Sequence, residues 1–156
     1  MSAIMWFRRD LRLNDNPALY EAISQAKTSG GEIVPVFILD PTLISKAGSK
    51  RLAYLGNSLR ELDRSLNGAL HVIPGDQTSV LKDLMKRYNA TSVHISAEYE
   101  PYGAQRDLAI ESSGIELIRT GSPYAVAPGR VRKPSDGTPY KVYTPFYRAW
   151  CDHGWS

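Results

Sequence analysis

Cysteine is nearly absent. Cys151 is the only one in 156 residues, which excludes an intrachain disulfide framework and a cysteine zinc site and leads us to expect a reducing, cytoplasmic setting. No apolar run approaches the ~20 residues of a membrane-spanning helix, so no membrane association is expected. The opening MSAIMWFRRD carries its arginines after a short apolar run, the reverse of a secretory leader. Familiar chemical signatures are missing too. Neither GxGxxG nor GxxxxGKS/T follows the first apolar run, so no motif supports dinucleotide or nucleoside triphosphate binding. There is no HExxH, and His71, His94 and His153 are scattered; there is no GxSxG, and Cys151 has no histidine placed to activate it. No catalytic and no metal-ligating residue is therefore expected.

Net charge is also absent over most of the chain. The formal net charge is +3, and all of it falls in residues 123–156, where Arg130, Arg132, Lys133, Lys141 and Arg148 face only Asp136 and Asp152. That segment also holds five of the ten prolines. Residues 1–122 are neutral, and the two stretches read as an α/β domain and an irregular connector.

In the neutral part, short β-branched or aromatic runs alternate with helical periodicity, the pattern of βαβ units around a parallel sheet. Strands are expected at Ala3–Phe7, Glu32–Leu39, Leu70–Ile73, Ser92–Ser96 and Ile115–Arg119, and helices at Pro17–Thr28, Lys50–Asn67, Ser79–Tyr88 and Pro101–Ser112. Their near-continuous apolar character suits strands covered on both faces. Right-handed crossovers then give a three-layer, Rossmann-like doubly wound sheet of five parallel strands in order 3-2-1-4-5, with ligands expected beyond the strand carboxyl ends. In the connector, Pro128-Gly129 and Ser135-Asp136-Gly137 mark turns of a short hairpin, and a helix is expected after Thr144-Pro145. Phe146, Tyr147, Trp150 and Trp155 have little chain left to pack against, which suggests a piece of something longer.

Three clusters leave the expected strand ends. Arg8, Arg9, Asp10, Arg12, Asn14, Asp15 and Asn16 either receive an anionic ligand, as guanidinium groups do well, or form an Arg–Asp network bracing the turn. Glu98 and Glu100, with Arg106 and Asp107, are either an acid/base pair or plain carboxylates at a helix N-terminus. Asp40 opens, and Lys50-Arg51 closes, a long loop that is either a ligand lid or ordinary surface.

Five separated blocks carry a resemblance: MWFRRDLRLNDNPAL, VFILDP, RLAYLGNSLRELD, EYEPYGAQRD and PYKVYTPFYRAW. In this order and spacing they resemble the DNA photolyase/cryptochrome family over essentially the whole chain, most closely the deazaflavin type of deoxyribodipyrimidine photolyase. The family's chains are about three times longer. The resemblance thus implies an N-terminal antenna domain, residues 1–122, and a connector, residues 123–156, toward an absent C-terminal helical domain. That missing domain would hold flavin adenine dinucleotide (FAD), the electron-transfer tryptophans and the pocket for damaged DNA, so this chain alone is not expected to be catalytic. What falls to it is a second, light-harvesting chromophore. Folate-type members carry an Asn-Glu pair where this chain has Tyr102-Gly103; the deazaflavin type resembles it better. The positions implied are Ile38, Arg51, Leu55, Glu98 and Arg106, with Arg9 and Asp40 on adjoining segments. The expected ligand is 8-hydroxydeazaflavin, with flavin mononucleotide (FMN) or methenyltetrahydrofolate as alternatives. The parent is expected to be a light-driven DNA repair flavoprotein or, alternatively, a cryptochrome-type photoreceptor; the isolated chain is expected to self-associate through its exposed aromatics.

Overall fold

Both faces of β1 (Ser2–Phe7) are covered, which is why its sequence runs apolar without alternation. The computed structural model describes residues 1–154, which divide into a unit Met1–Gly121 and a second unit beginning at Ser122. In the first, β1, α1 (Pro17–Thr28), β2 (Ile33–Leu39), α2 (Pro41–Ile44), α3 (Ser49–Ser65), β3 (His71–Pro74), α4 (Gln77–Tyr88), β4 (Ala90–Ile95), α5 (Pro101–Ser112) and β5 (Leu117–Arg119) follow in order. All strand pairs are parallel, and the sheet order is β3-β2-β1-β4-β5, as expected.

Period-two alternation splits β1 between two cores. Ala3, Met5 and Phe7 pack with Ala18, Leu19 and Ala22 of α1 and Leu62 of α3. Ile4 and Trp6 point the other way, into a core with Leu81 and Leu84 of α4 and Ile110 of α5. At roughly 1.5–3 kcal/mol per buried large apolar side chain, these two layers dominate stability. Pro35 sits inside β2 opposite Met5; β3 pairs only from Val36 onward, so the missing N–H costs no bond on that side.

Local signals set the helix ends. Asn16 accepts a hydrogen bond from the Leu19 N–H, with Pro17 as first helical residue, and Asp76 caps α4 through the Ser79 N–H, which starts that helix two residues before the expected Ser79. The single turn α2 lies inside the expected Asp40–Ser49 loop, nucleated by the Asp40 cap and Pro41. Too short for helical periodicity, it leaves only the cap as a signal. Gly31 is fixed by close approach: a Cβ there would collide with the Met1 backbone.

In the second unit the expected hairpin does not form: among the described residues no strand follows β5. Lys133 donates its N–H to the Thr138 carbonyl and Gly137 its N–H to Lys133, while Arg132 binds the Gly129 and Gly137 carbonyls. These bonds close a turn-rich loop and leave no extended ladder. The expected helix is α6 (Tyr143–His153), along which Tyr143, Tyr147 and Trp150 stack at centroid spacings of 5.7 and 6.4 Å. Trp155 lies outside the described residues.

Candidate functional site

The order 3-2-1-4-5 makes the chain leave β1 between neighbours whose crossovers run to opposite sides, and a crevice opens there. It is a cleft of about 280 Å³ at the carboxyl ends of β1, β2 and β4. Trp6, Phe37 and Ile38 supply apolar wall, and Arg9, Asp40, Arg51, Glu98 and Arg106 supply charge. Six of the seven residues expected at a site thus meet in one cleft. Leu55 does not join them: it lies in a separate, largely apolar groove of about 440 Å³ between α3 and β3, with Leu52, Leu59 and Val72.

The charges in the cleft fall into two sets. The inner set is closed on itself. Arg8 lies two residues beyond Trp6, hence on the same face of β1. Its side chain, 6% exposed, pairs with Glu98 at 3.1 Å and Asp107 at 2.8 Å and donates to the Ser96 carbonyl. Arg106 meets the same carboxylates, Asp107 at 2.7 Å and Glu98 at 3.4 Å. Both guanidinium carbons stand about 5 Å from the Trp6 ring, at 5.0 and 4.9 Å, within cation–π range. Burial lowers the Arg8 pKa and the neighbouring Arg106 charge lowers it further, while Asp107 and Glu98 pull it back up. Arg8 and Arg106 balance Glu98 and Asp107, and Arg119, which reaches Asp107 at 4.0 Å, brings its own carboxylate, Glu111 at 2.6 Å, so the cluster is neutral, as a buried one must be. Gly103 is required beside it, because a Cβ there would stand 2.5 Å from a Glu98 carboxylate oxygen.

Arg8 was outside the expected site set, although strand parity from Trp6 points to it. The acid/base reading of Glu98 and Glu100 does not hold. Glu98 is locked between two arginines, and Glu100 pairs instead with Arg9 at 2.7 Å in an exposed bridge. Asp10, which accepts from Ser96, and Asn16, which donates to the Arg12 carbonyl at 3.0 Å, brace the turn after β1.

The outer set is less committed. Asp40 ends β2 and caps α2 through the Thr42 N–H at 2.8 Å. The Tyr102 hydroxyl, from the first turn of α5, donates to the other carboxylate oxygen. Burial alone would raise the Asp40 pKa, but hydrogen bonds from Tyr102, Thr42, Gln77 and Leu43 outweigh it and hold the carboxyl below its ordinary value. The Tyr102 phenol is raised, first by burial and then by Asp40. Arg51, in the first turn of α3, lines the cleft and makes no ion pair with the described residues. Tyr102 and Gln77 were not anticipated. Among the described residues, no group of His, Cys, Asp and Glu could hold a metal ion, and no helix is long and apolar enough to cross a membrane.

A doubly wound sheet of this order, with a charged and partly apolar cleft at its switch point, has the form of a small-molecule-binding α/β domain. Residues 3–155 match the family model of DNA photolyase: the chain belongs to that family, as its N-terminal domain. It is 31% identical over 156 residues to the deoxyribodipyrimidine photo-lyase of a Synechococcus species, covering 94% of this chain and 31% of that one. Cryptochromes are also among its relatives. It superposes on a bacterial class III photolyase of Agrobacterium tumefaciens with a TM-score of 0.81 at 33% identity, over 95% of this chain and 31% of that one. An archaeal photolyase of Sulfolobus tokodaii, described with two FAD molecules and the implication of a novel light-harvesting cofactor, gives 0.74 at 30% identity over 95% and 34%. The chain spans about half the length of one curated relative and under a third of the Synechococcus enzyme.

Proposed function

We propose that residues 1–122 form the antenna domain of a photolyase-like DNA repair flavoprotein and bind a planar light-harvesting chromophore in the cleft at the β1–β4 switch point. The observation that carries this is the division of the cleft's charges: the inner set is neutralised internally, while buried Asp40 lines the cleft as an acceptor and exposed Arg51 stands on the rim as a cation. Such a pair fits a heteroaromatic ring that donates an N–H and bears an anionic oxygen or tail, beside the apolar walls of Ile38 and Phe37. Asp40 takes the ring N–H and Arg51 the anion. Arg8, Arg106, Glu98 and Asp107 hold Trp6 and the cleft floor in place, and Arg9 with Glu100 edges the opening. When bound, the chromophore absorbs light and passes excitation onward without covalent chemistry at this domain.

The ligand we favour is 8-hydroxydeazaflavin, whose ring hydroxyl ionises readily; FMN and methenyltetrahydrofolate are the alternatives. In the parent protein a C-terminal helical domain would hold FAD and damaged DNA and carry out light-driven repair of pyrimidine dimers, the deoxyribodipyrimidine photo-lyase reaction, while residues 123–156 lead toward it. The Sulfolobus tokodaii protein, with its two FAD molecules, supports a second chromophore in a relative. An absorption and action spectrum of the full-length protein tests the reading: a deazaflavin band contributing to activity is expected, and a spectrum attributable to FAD alone would overturn it.

A second reading, a cryptochrome-type photoreceptor, is favoured by 41% identity over 127 residues to cryptochrome-1. Light-dependent repair of a pyrimidine dimer by the full-length protein argues against it. Self-association of the 156-residue chain is proposed through the aromatic face of α6, where Tyr143, Phe146 and Tyr147 are 72%, 37% and 49% exposed. Sedimentation is expected to show a concentration-dependent mass that falls toward monomer in Tyr147→Ser.

A further inference from the structure

We propose that Tyr102 is the selecting gate of the cleft: its phenol occupies the Asp40 carboxylate, so that only a ligand with a ring N–H able to take that carboxylate displaces it and enters. This rests on the antenna reading and adds to it a ligand class, heteroaromatic imides and lactams, and a residue that enforces it.

Asp40 and Tyr102 come from opposite sides of the crevice, Asp40 from the end of β2 and Tyr102 from the first turn of α5 beyond β4. Their hydrogen bond therefore crosses the mouth over the end of β1, which lies between those strands. Gln77, from the first turn of α4, lines the same cleft beside them. Residues of three elements thus line the mouth around this bond.

The cleft's volume of about 280 Å³ lies just under the 300–1,000 Å³ typical of small-molecule sites. Swinging the Tyr102 ring outward would enlarge it, and the ring, 42% exposed, has solvent to swing into. The carboxylate is ionised and accepts only, while the phenol remains protonated and donates only to it. A ligand N–H replaces the phenol bond for bond; a ligand that offers only acceptors takes the phenol from Oδ2 of the buried Asp40 and returns no donor, leaving only Oδ1 held by the Thr42 N–H. Sites built on such a buried acceptor discriminate strongly against analogues that lack the donor.

Closure by Tyr102 also lowers apparent affinity by the fraction of time the mouth is shut. Tyr102→Phe keeps the ring and removes only the O–H. The test is fluorescence titration of the 156-residue chain and of Tyr102→Phe with riboflavin and with N3-methylated riboflavin, whose imide N–H is blocked. Riboflavin is expected to bind Tyr102→Phe about tenfold more tightly than the parent chain, in line with losing one hydrogen bond to a charged acceptor. The N3-methylated probe is expected to bind both at least tenfold more weakly than riboflavin does. Equal or weaker riboflavin binding by Tyr102→Phe, or indifference to N3-methylation, overturns the gate and leaves the antenna reading intact. Failure of riboflavin, FMN and 8-hydroxydeazaflavin to bind either protein overturns both.

Discussion

The two halves of the cleft use the same residue types to opposite ends. Inside, Arg8 and Arg106 share Glu98 and Asp107 so fully that no charge is left over for a ligand. On the rim, Arg51 has no carboxylate among the described residues, and below it Asp40 is held in part by a group that can let go, a phenol. For the cations the difference lies in depth; Asp40, 8% exposed, is as buried as the inner carboxylates and differs in its partners. Near Trp6 the side chains are 3–12% exposed, and an unpaired charge there would cost several kcal/mol, so the chain supplies its own counter-ions. At the rim water can hydrate Arg51 until something better arrives. The internally paired charges are architecture, and the exposed Arg51 with the exchangeably held Asp40 is available for recognition.

The strongest way to break the comparison is to open the inner set. Asp107→Ala removes the carboxylate that pairs with both arginines at 2.7–2.8 Å, and a loss of about 3–5 kcal/mol in urea unfolding is expected. A loss below about 1 kcal/mol would show that the inner charges are as solvated as the rim. Gly103→Ala presses a methyl group onto Glu98 and should cost about 1–3 kcal/mol, read in the same experiment; a neutral result would mean that Glu98 is not fixed.

A buried polar group outside the cleft sharpens the point. His94 bonds Ser92 and Gln25 through Nε2, but its buried Nδ1 has no partner among the described residues. Burial lowers its pKa against the opposing pull of Glu21 and Glu116. Folded His94 therefore stays neutral where the unfolded residue, with a pKa of about 6.5, takes a proton. Stability from this residue is present above that pH and is lost as pH falls toward the lowered folded value, with a slope of up to about 1.4 kcal/mol per pH unit. In His94→Gln the slope between pH 7 and 5 should flatten by most of that amount; an unchanged slope would assign the acid sensitivity elsewhere. The smallest effect belongs to the exposed Arg9–Glu100 bridge. Arg9→Ala should change stability by less than about 1 kcal/mol, and a larger loss would erase the contrast between inner and outer charges.

The fold was legible because its signals are redundant. β1 and β2 are near-continuous apolar runs, and order 3-2-1-4-5 is among the doubly wound orders that right-handed crossovers allow. Failures came where a single signal stood alone. α2 has one turn and one cap, and the hairpin expected around Pro128–Gly137 rested on turn residues without an apolar alternation to pair.

At the site, sequence position locates a residue at a strand end but does not give its direction. Arg8 and Arg9 are neighbours, and the pleat sends one into the Trp6 cluster and the other to the rim. Leu55 belongs to the α3 stripe Leu52, Leu55, Leu59, Leu62 and Leu66, whose first half turns toward β3 rather than toward the switch point. Tyr102 was noted only as a departure from the folate pattern; its bond to Asp40 spans 62 residues, and no local pattern announces such a contact.

The central claim, that the rim of the switch-point cleft is where a chromophore binds, can be tested most directly by titrating 8-hydroxydeazaflavin into the parent chain, Arg51→Ala and Leu55→Ala. Arg51→Ala is expected to bind about tenfold more weakly, the loss of one charge-assisted contact, while Leu55→Ala binds within about twofold of the parent. Unchanged binding by Arg51→Ala with a large loss in Leu55→Ala would move the site to the groove under α3 and contradict the account.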